Sequence, residues 1–214
     1  MKRNGIAVIY LGAGSSRRMG YPKLSAEVPG KGRLGGLALR SALQAGMGPI
    51  IVVTKPGDEP PWLAEATAAQ GVAVIRAMAA QAELGMAYSI RAGFAEAARY
   101  EPRAVLMLLA DMPLVTTEML LALADGLESA PHLDFVAYRR GGRPLPPVLL
   151  GASMFPCLKH LEGDTGARSL LQDPRFNGAF LRADREEDLM DVDTWQDMNS
   201  LLLLCGNETT TTGR

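Results

Sequence analysis

The stretch 5–23, "GIAVIYLGAGSSRRMGYPK", sets a short apolar run directly before a loop that holds Gly12, Gly14 and Gly20, two adjacent arginines and a lysine. The run is rich in β-branched residues and bounded by glycine, the pattern of a strand buried on both faces. The glycines and the run of basic residues lead one to expect an exposed loop. A strand followed by a glycine loop and a helix is a phosphate-binding arrangement, because glycines let backbone N–H groups approach oxygens and successive amides form an anion nest. Two common versions of it fail in this chain. Gly12 and Gly14 open a dinucleotide fingerprint, but Arg17 takes the place of its third glycine, and Lys55 stands where an acid should close the second strand. Gly20 is followed by Tyr21, Pro22 and Lys23 rather than by the Lys-Ser or Lys-Thr of a P-loop.

Outward from this stretch, the hydrophobic period alternates between strand and helix. Helical spacing covers 34–46, 62–71, 86–100 and 116–129, the last with a Thr cap. Short apolar strands are expected at 49–54, 72–76, 104–110 and 134–138. This βαβα order with continuously apolar strands predicts an α/β fold, a three-layer αβα sandwich around a mostly parallel sheet. The segment "RRGGRPLPPVLLG", 139–151, reads as a turn or β-arm, 154–173 as two short helices broken at Gly163, and 191–204 as a strand end and a helix. A single domain over 1–204 and a disordered polar tail over 205–214 are expected.

Composition narrows the function. With 214 residues and 48% hydrophobic residues the chain can bury a sizeable core, and a formal net charge of −1 gives no global attraction to nucleic acid or to an acidic membrane. Cys157 and Cys205 are too few for a disulfide framework or a zinc site, and His132 and His160 have no metal spacing. Neither a signal-peptide core nor an apolar run of about 20 residues is present, so a cytoplasmic protein with no membrane or nucleic-acid partner is expected. The carboxylates leave alternatives open. Asp111 ends an apolar strand, where ligands bind in open α/β sheets, and either holds Mg2+ or caps a turn with Pro113. Ser89 stands at a helix start, Asp164 has the position of an N-cap for a helix beginning near Thr165, and Asp193 or Thr194 has that of a cap for the last helix.

The loop pattern L-x-A-G-x-S-x-R-M-G-x-x-K, here Leu11, Ala13, Gly14, Ser16, Arg18, Met19, Gly20 and Lys23, resembles the signature of the MobA-like molybdenum cofactor cytidylyl- and guanylyltransferases. The resemblance implies a Rossmann-like sheet of the nucleotide-diphospho-sugar transferase (GT-A-like) type and a nucleotidyl transfer that releases pyrophosphate. It implies nucleotide contacts from Leu11, Gly12, Ala13, Gly14 and Ser15, phosphate neutralisation by Arg18 and Lys23, and Mg2+ on Asp111 of "DMP". "GMAYSIRAG" is similar to the family segment beside base and ribose, which gives Gly85 and Ser89 a nucleotide role. "LEGDTGARSLL" and "DVDTWQD" resemble family segments that place Asp164 and Arg168 on the second substrate and Asp193 near the metal. In the family an alanine at the place of Ala13 accompanies CTP rather than GTP. The implied partners are the NTP, molybdopterin or molybdenum cofactor, and a molybdoenzyme of the xanthine dehydrogenase type.

The chain departs from the family at Gly12, where alanine is usual, and at Leu145 and Pro146, where the cytidylyltransferase branch has glycine and histidine. The departure in the arm motivates two alternatives: a non-catalytic accessory protein that carries the cofactor, and a nucleotidyltransferase for another small phosphate such as a sugar phosphate.

Overall fold

The computed structural model describes residues 5–14, 19–68, 74–164 and 166–211. The first strand, β1 (Ile6–Leu11), is an interior strand, third from one edge, of a seven-stranded sheet. Its neighbours β4 (Ile50–Thr54) and β6 (Ala104–Leu109) are both parallel to it, so that Val8 stands between Ile50 and Leu106 and Tyr10 between Val52 and Leu108. β5 (Ile75–Met78) extends the parallel side. On the other side come β8 (Arg143–Gly151), antiparallel to β6, then β7 (Phe135–Arg140) and β9 (Gly178–Leu181), giving the order β5-β4-β1-β6-β8-β7-β9. β2 (Glu27–Val28) and β3 (Gly32–Arg33) form a separate two-stranded ribbon.

Strand alternation sends successive side chains to opposite layers. Val8, Tyr10, Val52, Leu106 and Leu108 pack in one core cluster with residues of α1 (Leu34–Gln44), α2 (Pro61–Ala68) and α4 (Thr117–Ser129). Ala7, Ile9, Ile51, Val53 and Met107 pack in the other with α3 (Met86–Ala97), α5 (Phe155–Lys159) and α6 (Arg168–Leu171). This explains why the central strands are continuously apolar: both faces are covered. A third cluster joins Met198, Leu201 and Cys205 of α7 (Trp195–Thr211) to Met19, Val28, Leu34 and Leu37. The last of those anchors is Cys205, and the α7 backbone is helical to Thr211.

The turn or β-arm expected at 139–151 is the end of β7, a turn and β8, and β8 tolerates Pro144, Pro146 and Pro147 because they lie beyond the four residues that pair with β6. Among the described residues β7 alone pairs with that part, and a strand edge tolerates a missing N–H. Gly141 and Gly142, at φ 54 and 78, make the two-residue turn between β7 and β8. β9 was not expected: it has four residues, all half-buried, and lacks the apolar run that marks the central strands. β5 begins at Ile75 and runs on to Met78, two residues beyond the expected end; the expected helix end at Gly71 lies outside the described residues. Among the described residues no helix is long and apolar enough to cross a membrane.

Candidate active site at the carboxyl edge of the parallel strands

Three segments far apart in sequence converge just past β1 and β6. Lys23 lies in a single 3-10 turn after Pro22 and is buried. Its Nζ donates to Oδ2 of Asp111 at 2.7 Å and to Oδ1 of Asp193 at 2.7 Å, partners 88 and 170 residues away in the chain. Asp111 stands two residues beyond the end of β6, and its carbonyl accepts the N–H of Val192 at 2.9 Å, which ties the chain before α7 to the sheet. Asp193 is oriented from α7. Oδ2 of Asp197 accepts from the backbone N–H of Asp193 (3.1 Å) and of Thr194 (2.8 Å) and from the Thr194 hydroxyl (2.7 Å). The Asp197 N–H donates back to Oγ1 of Thr194 at 3.2 Å. This is a reciprocal capping box with Thr194 as the cap, and it turns the Asp193 side chain toward Lys23.

The electrostatics follow from this packing. Burial pushes the Asp111 carboxyl above the usual aspartate range, against the pull of Lys23, with Asp191 and Asp193 adding to the rise. Burial pushes Lys23 down, but the charges and hydrogen bonds of Asp111 and Asp193 win and hold it above the ordinary lysine range. Lys23 is therefore a fixed positive charge at neutral pH. For Asp197 burial raises the value, but the bonds from Thr194 and Asp193 outweigh it and hold the carboxyl below its usual range.

The donor set fits a hard divalent cation. Asp111 and Asp193 already converge on one cationic centre, the ammonium of Lys23, and Oδ1 of Asp111 is buried without a hydrogen-bond partner. Among the described residues no group of three His, Cys, Asp or Glu side chains could hold an ion. Two carboxylates completed by phosphate oxygens and water are the usual provision for Mg2+, in contrast to the all-protein cage of a calcium site.

Two cavities open near this centre: Leu109, two residues before Asp111, lines one, and Pro22, next to Lys23, lines the other. One, of about 390 Å³, lies between β8 and α6 and is lined by Met86, Leu109, Pro146, Asp164, Arg168 and Gln172, among others. It brings together Asp164 and Arg168 with the departing arm residue Pro146. Asp164 is not the cap of the following helix, since α6 begins only at Arg168 with Ala167 before it. The other cavity, of about 240 Å³, is lined by Gly12, Gly14, Pro22, Thr54 and Trp62 and by the turn between β4 and α2.

The glycine loop leaves β1 with the Gly12 N–H donating to Val53 O at 2.9 Å. Trp62, 2% exposed, lies directly behind it. A Cβ at Gly12 would stand 3.0 Å from the Trp62 ring, and one at Gly35 would stand 2.8 Å from it, which accounts for glycine where alanine is usual. A Cβ at Gly14 would meet open space, so a phosphate can approach that backbone closely. Leu11 ends β1 half-buried, and Ala13 is buried at 3% in the α3-side core rather than lining the cavity. Ser15 and Arg18 lie outside the described residues.

Gly85 and Ser89 belong to the same edge. Gly85 precedes α3 at φ 133, ψ 166, and its absent Cβ would fall 2.3 Å from Gly163 O. The Ala87 N–H donates to that same oxygen at 3.2 Å. The "GM" and "GDTGAR" segments are thus sutured backbone to backbone, and only glycine allows it. Ser89 is buried in the first turns of α3. Sequence reasoning missed Asp197, although its T-x-x-D spacing from Thr194 carries the signal, and it gave no role to Trp62, Thr54 or Arg76.

Comparison with known proteins shows the family and the fold. The family model described as "MobA-like NTP transferase domain" matches residues 8–179. The purine catabolism protein PucB of Bacillus subtilis (strain 168) is 31% identical over 198 residues, covering 87% of this chain and 90% of that protein. A structure of Rv0371c from Mycobacterium tuberculosis in complex with manganese superposes with a TM-score of 0.68 at 24% identity, over 92% of this chain and 98% of that one. Molybdopterin-guanine dinucleotide biosynthesis protein A from Archaeoglobus fulgidus gives a TM-score of 0.65 at 18% identity, over 94% and 99%. The fold is the Rossmann-like NTP transferase fold.

Proposed function

The chain belongs to the MobA-like NTP transferase domain family, and on that premise we propose that it joins a nucleoside monophosphate, from CTP in preference to GTP, to the phosphate of molybdopterin or molybdenum cofactor. The terminal phosphate of the acceptor attacks the α-phosphorus of the NTP in line, the bond to the β-phosphate oxygen breaks, and pyrophosphate leaves. The observation that carries this reading is the convergence of Lys23, Asp111 and Asp193 just past β1 and β6, with Pro22, the neighbour of Lys23, in the lining of the glycine-loop cavity.

Each of the chain's own groups has a task. Gly12 and Gly14 offer a cradle without side chains to the polyphosphate. Lys23, protonated throughout neutral pH, stabilises negative charge on the leaving pyrophosphate, with Arg18 as its partner in that task. Asp111 and Asp193 would hold the divalent ion, Mg2+ in this reading, which supplies charge neutralisation and polarisation of the α-phosphate when bound; the manganese in the related Rv0371c complex supports a divalent metal. No general base is needed, because a phosphate nucleophile is already ionised near neutral pH. Gly85 and Ser89 carry the nucleotide side of α3. Asp164 and Arg168 orient the acceptor in the cavity beside α6, whose walls of Met86, Pro144, Pro146 and Val148 favour a flat ring system over a sugar.

The preference for CTP follows the family resemblance at Ala13, whose side chain lies in the α3-side core and not in the cavity, and draws structural support from the small volume of the glycine-loop cavity, about 240 Å³. Titration calorimetry with Mg-CTP and Mg-GTP tests this: tighter CTP binding is expected, and tighter GTP binding would reverse the assignment. Pyrophosphate release with each NTP, Mg2+ and released molybdenum cofactor tests the reaction. A second reading, a non-catalytic carrier that hands the cofactor to a xanthine dehydrogenase-type enzyme, draws on the purine-catabolism relative and on the altered arm in the acceptor cavity. Cofactor binding without pyrophosphate release from any NTP would favour it.

A further inference from the structure

The glycine-loop cavity has one wall that the loop itself does not supply. It is made by Thr54 at the end of β4, by Asp58, Glu59 and Pro60 in the following turn, and by Trp62 at the start of α2. The two ends of this wall are fixed by burial: Thr54 is 1% exposed and its carbonyl accepts the Ala79 N–H at 2.9 Å, and Trp62 is locked behind Gly12 and Gly35. The stretch between them, 56–59, is exposed, contains Gly57 at φ 77, and has no apolar side chain in the core. It makes one weak backbone turn of its own, from Asp58 N–H to Lys55 O at 3.3 Å.

Arg76, on the edge strand β5, spans that gap. Its Nη1 donates to Oε1 of Glu59 at 2.9 Å, and its Nη2 donates to Oγ1 of Thr54 at 3.3 Å and to the carbonyl of Asp58. One guanidinium therefore grips three residues, and all three line the cavity. β5 gives the grip a rigid base, since Arg76 pairs in register with Val52 of β4. The planar five-donor fork is what makes three simultaneous contacts possible, and an ammonium could not reproduce it.

We propose that Arg76 is a positioning residue for nucleotide binding: it holds the 55–60 turn as a preformed wall of the cavity, so that the turn need not be ordered when the NTP arrives. The inference rests on the nucleotide reading of that cavity. A purely structural role is the competing account, and magnitude separates the two. The Arg76–Glu59 pair is exposed, with 33% and 86% of the two side chains accessible, and such pairs contribute little to folding. Ordering a loose turn at the moment of binding, by contrast, subtracts directly from affinity.

The test is nucleotide binding and steady-state kinetics on the full-length wild type, Arg76→Ala and Arg76→Lys, with Arg99→Ala as a control that breaks a surface ion pair elsewhere (Arg99–Glu96, 3.1 Å). Mg-CTP, Mg-GTP, Mg-ATP and Mg-UTP are the probes. Arg76→Ala is expected to weaken binding of the preferred nucleotide and raise its KM by about tenfold with kcat changed less than about twofold. Arg76→Lys should recover part of the loss, and Arg99→Ala should match wild type. Amide hydrogen exchange in 55–60 should quicken in Arg76→Ala while the β1 and β6 amides stay protected. Wild type that binds no nucleotide would overturn the proposed function. Wild type that binds, together with Arg76→Ala of unchanged affinity and unchanged exchange in 55–60, would overturn the role of Arg76 and leave that function standing.

Discussion

The two cavities at the carboxyl edge are made of different materials. The one beside the glycine loop is walled by backbone, by a turn gripped through hydrogen bonds, and by a single buried tryptophan. The one beside α6 is walled by Met86, Leu109, Pro144, Pro146 and Val148, with Asp164 and Arg168 as its charged members. Backbone donors suit a polyphosphate common to every NTP, whatever base it carries. Apolar walls with a few polar groups select by shape, as small-molecule pockets do. Under the proposed function, chemistry falls to the glycine-loop side and acceptor choice to the α6 side.

Substitutions can break that division, beginning with Lys23. Lys23→Met should lower pyrophosphate release at least about 100-fold, the usual order for removing a preorganised charge in such a site. It should also destabilise the fold, since Asp111 and Asp193 are left facing each other. The cost should be near the lower end for a broken buried pair, about 3 kcal/mol, because Asp193 is 37% accessible. Thermal unfolding alongside turnover separates the two effects. The sign of the pH dependence is fixed as well: the folded pKa of Lys23 is raised, so the stabilisation it provides is fully present at neutral pH and is lost only as pH rises through and above the ordinary lysine range.

Gly85→Ala tests the seam between the sides. Its backbone conformation is open essentially only to glycine, a strain of about 1–3 kcal/mol, and the new methyl would collide with Gly163 O. A lowered melting temperature is expected together with weaker binding of both substrates. Pro146→His, which restores the family's residue in the arm, should change the KM for the cofactor several-fold, on the order of what one pocket contact contributes, while the KM for CTP stays constant. An equal change in both would erase the distinction between the cavities. The smallest effect belongs to the far end of the sheet. Asp134 accepts from Ser153 Oγ and the Asn177 N–H, which hold it below the usual aspartate value. Asp134→Asn should leave kinetics untouched and cost a little stability. That difference is present above about pH 3.9 and fades as pH falls through the lower folded value.

Legibility in the sequence followed the same division. β1, β4 and β6 were readable because they are buried on both faces and therefore continuously apolar, and α1, α3 and α4 because their periodic faces meet those strands. The glycine loop and the "DMP" turn were readable because they are local patterns. The Lys23–Asp111–Asp193 contact was not, since it joins residues 88 and 170 positions apart and local spacing carries no trace of it. Trp62 and Arg76 gave no signal for a similar reason: a tryptophan behind a glycine and an arginine across a turn become meaningful only when β4 and β5 lie side by side. The arm at 139–151 was legible as a turn or β-arm from its Gly-Gly pair and from its prolines, which the sheet tolerates because the pairing with β6 stops short of them.

The central claim is that Asp111 belongs to the reacting centre and is more than a turn cap. Its most direct test is pyrophosphate release by Asp111→Asn with CTP, Mg2+ and released molybdenum cofactor, measured on protein whose melting curve matches wild type. Asparagine keeps the size and an acceptor for Lys23 but removes the charge. A loss of at least about 100-fold is predicted; turnover near that of wild type in the folded variant would contradict the account.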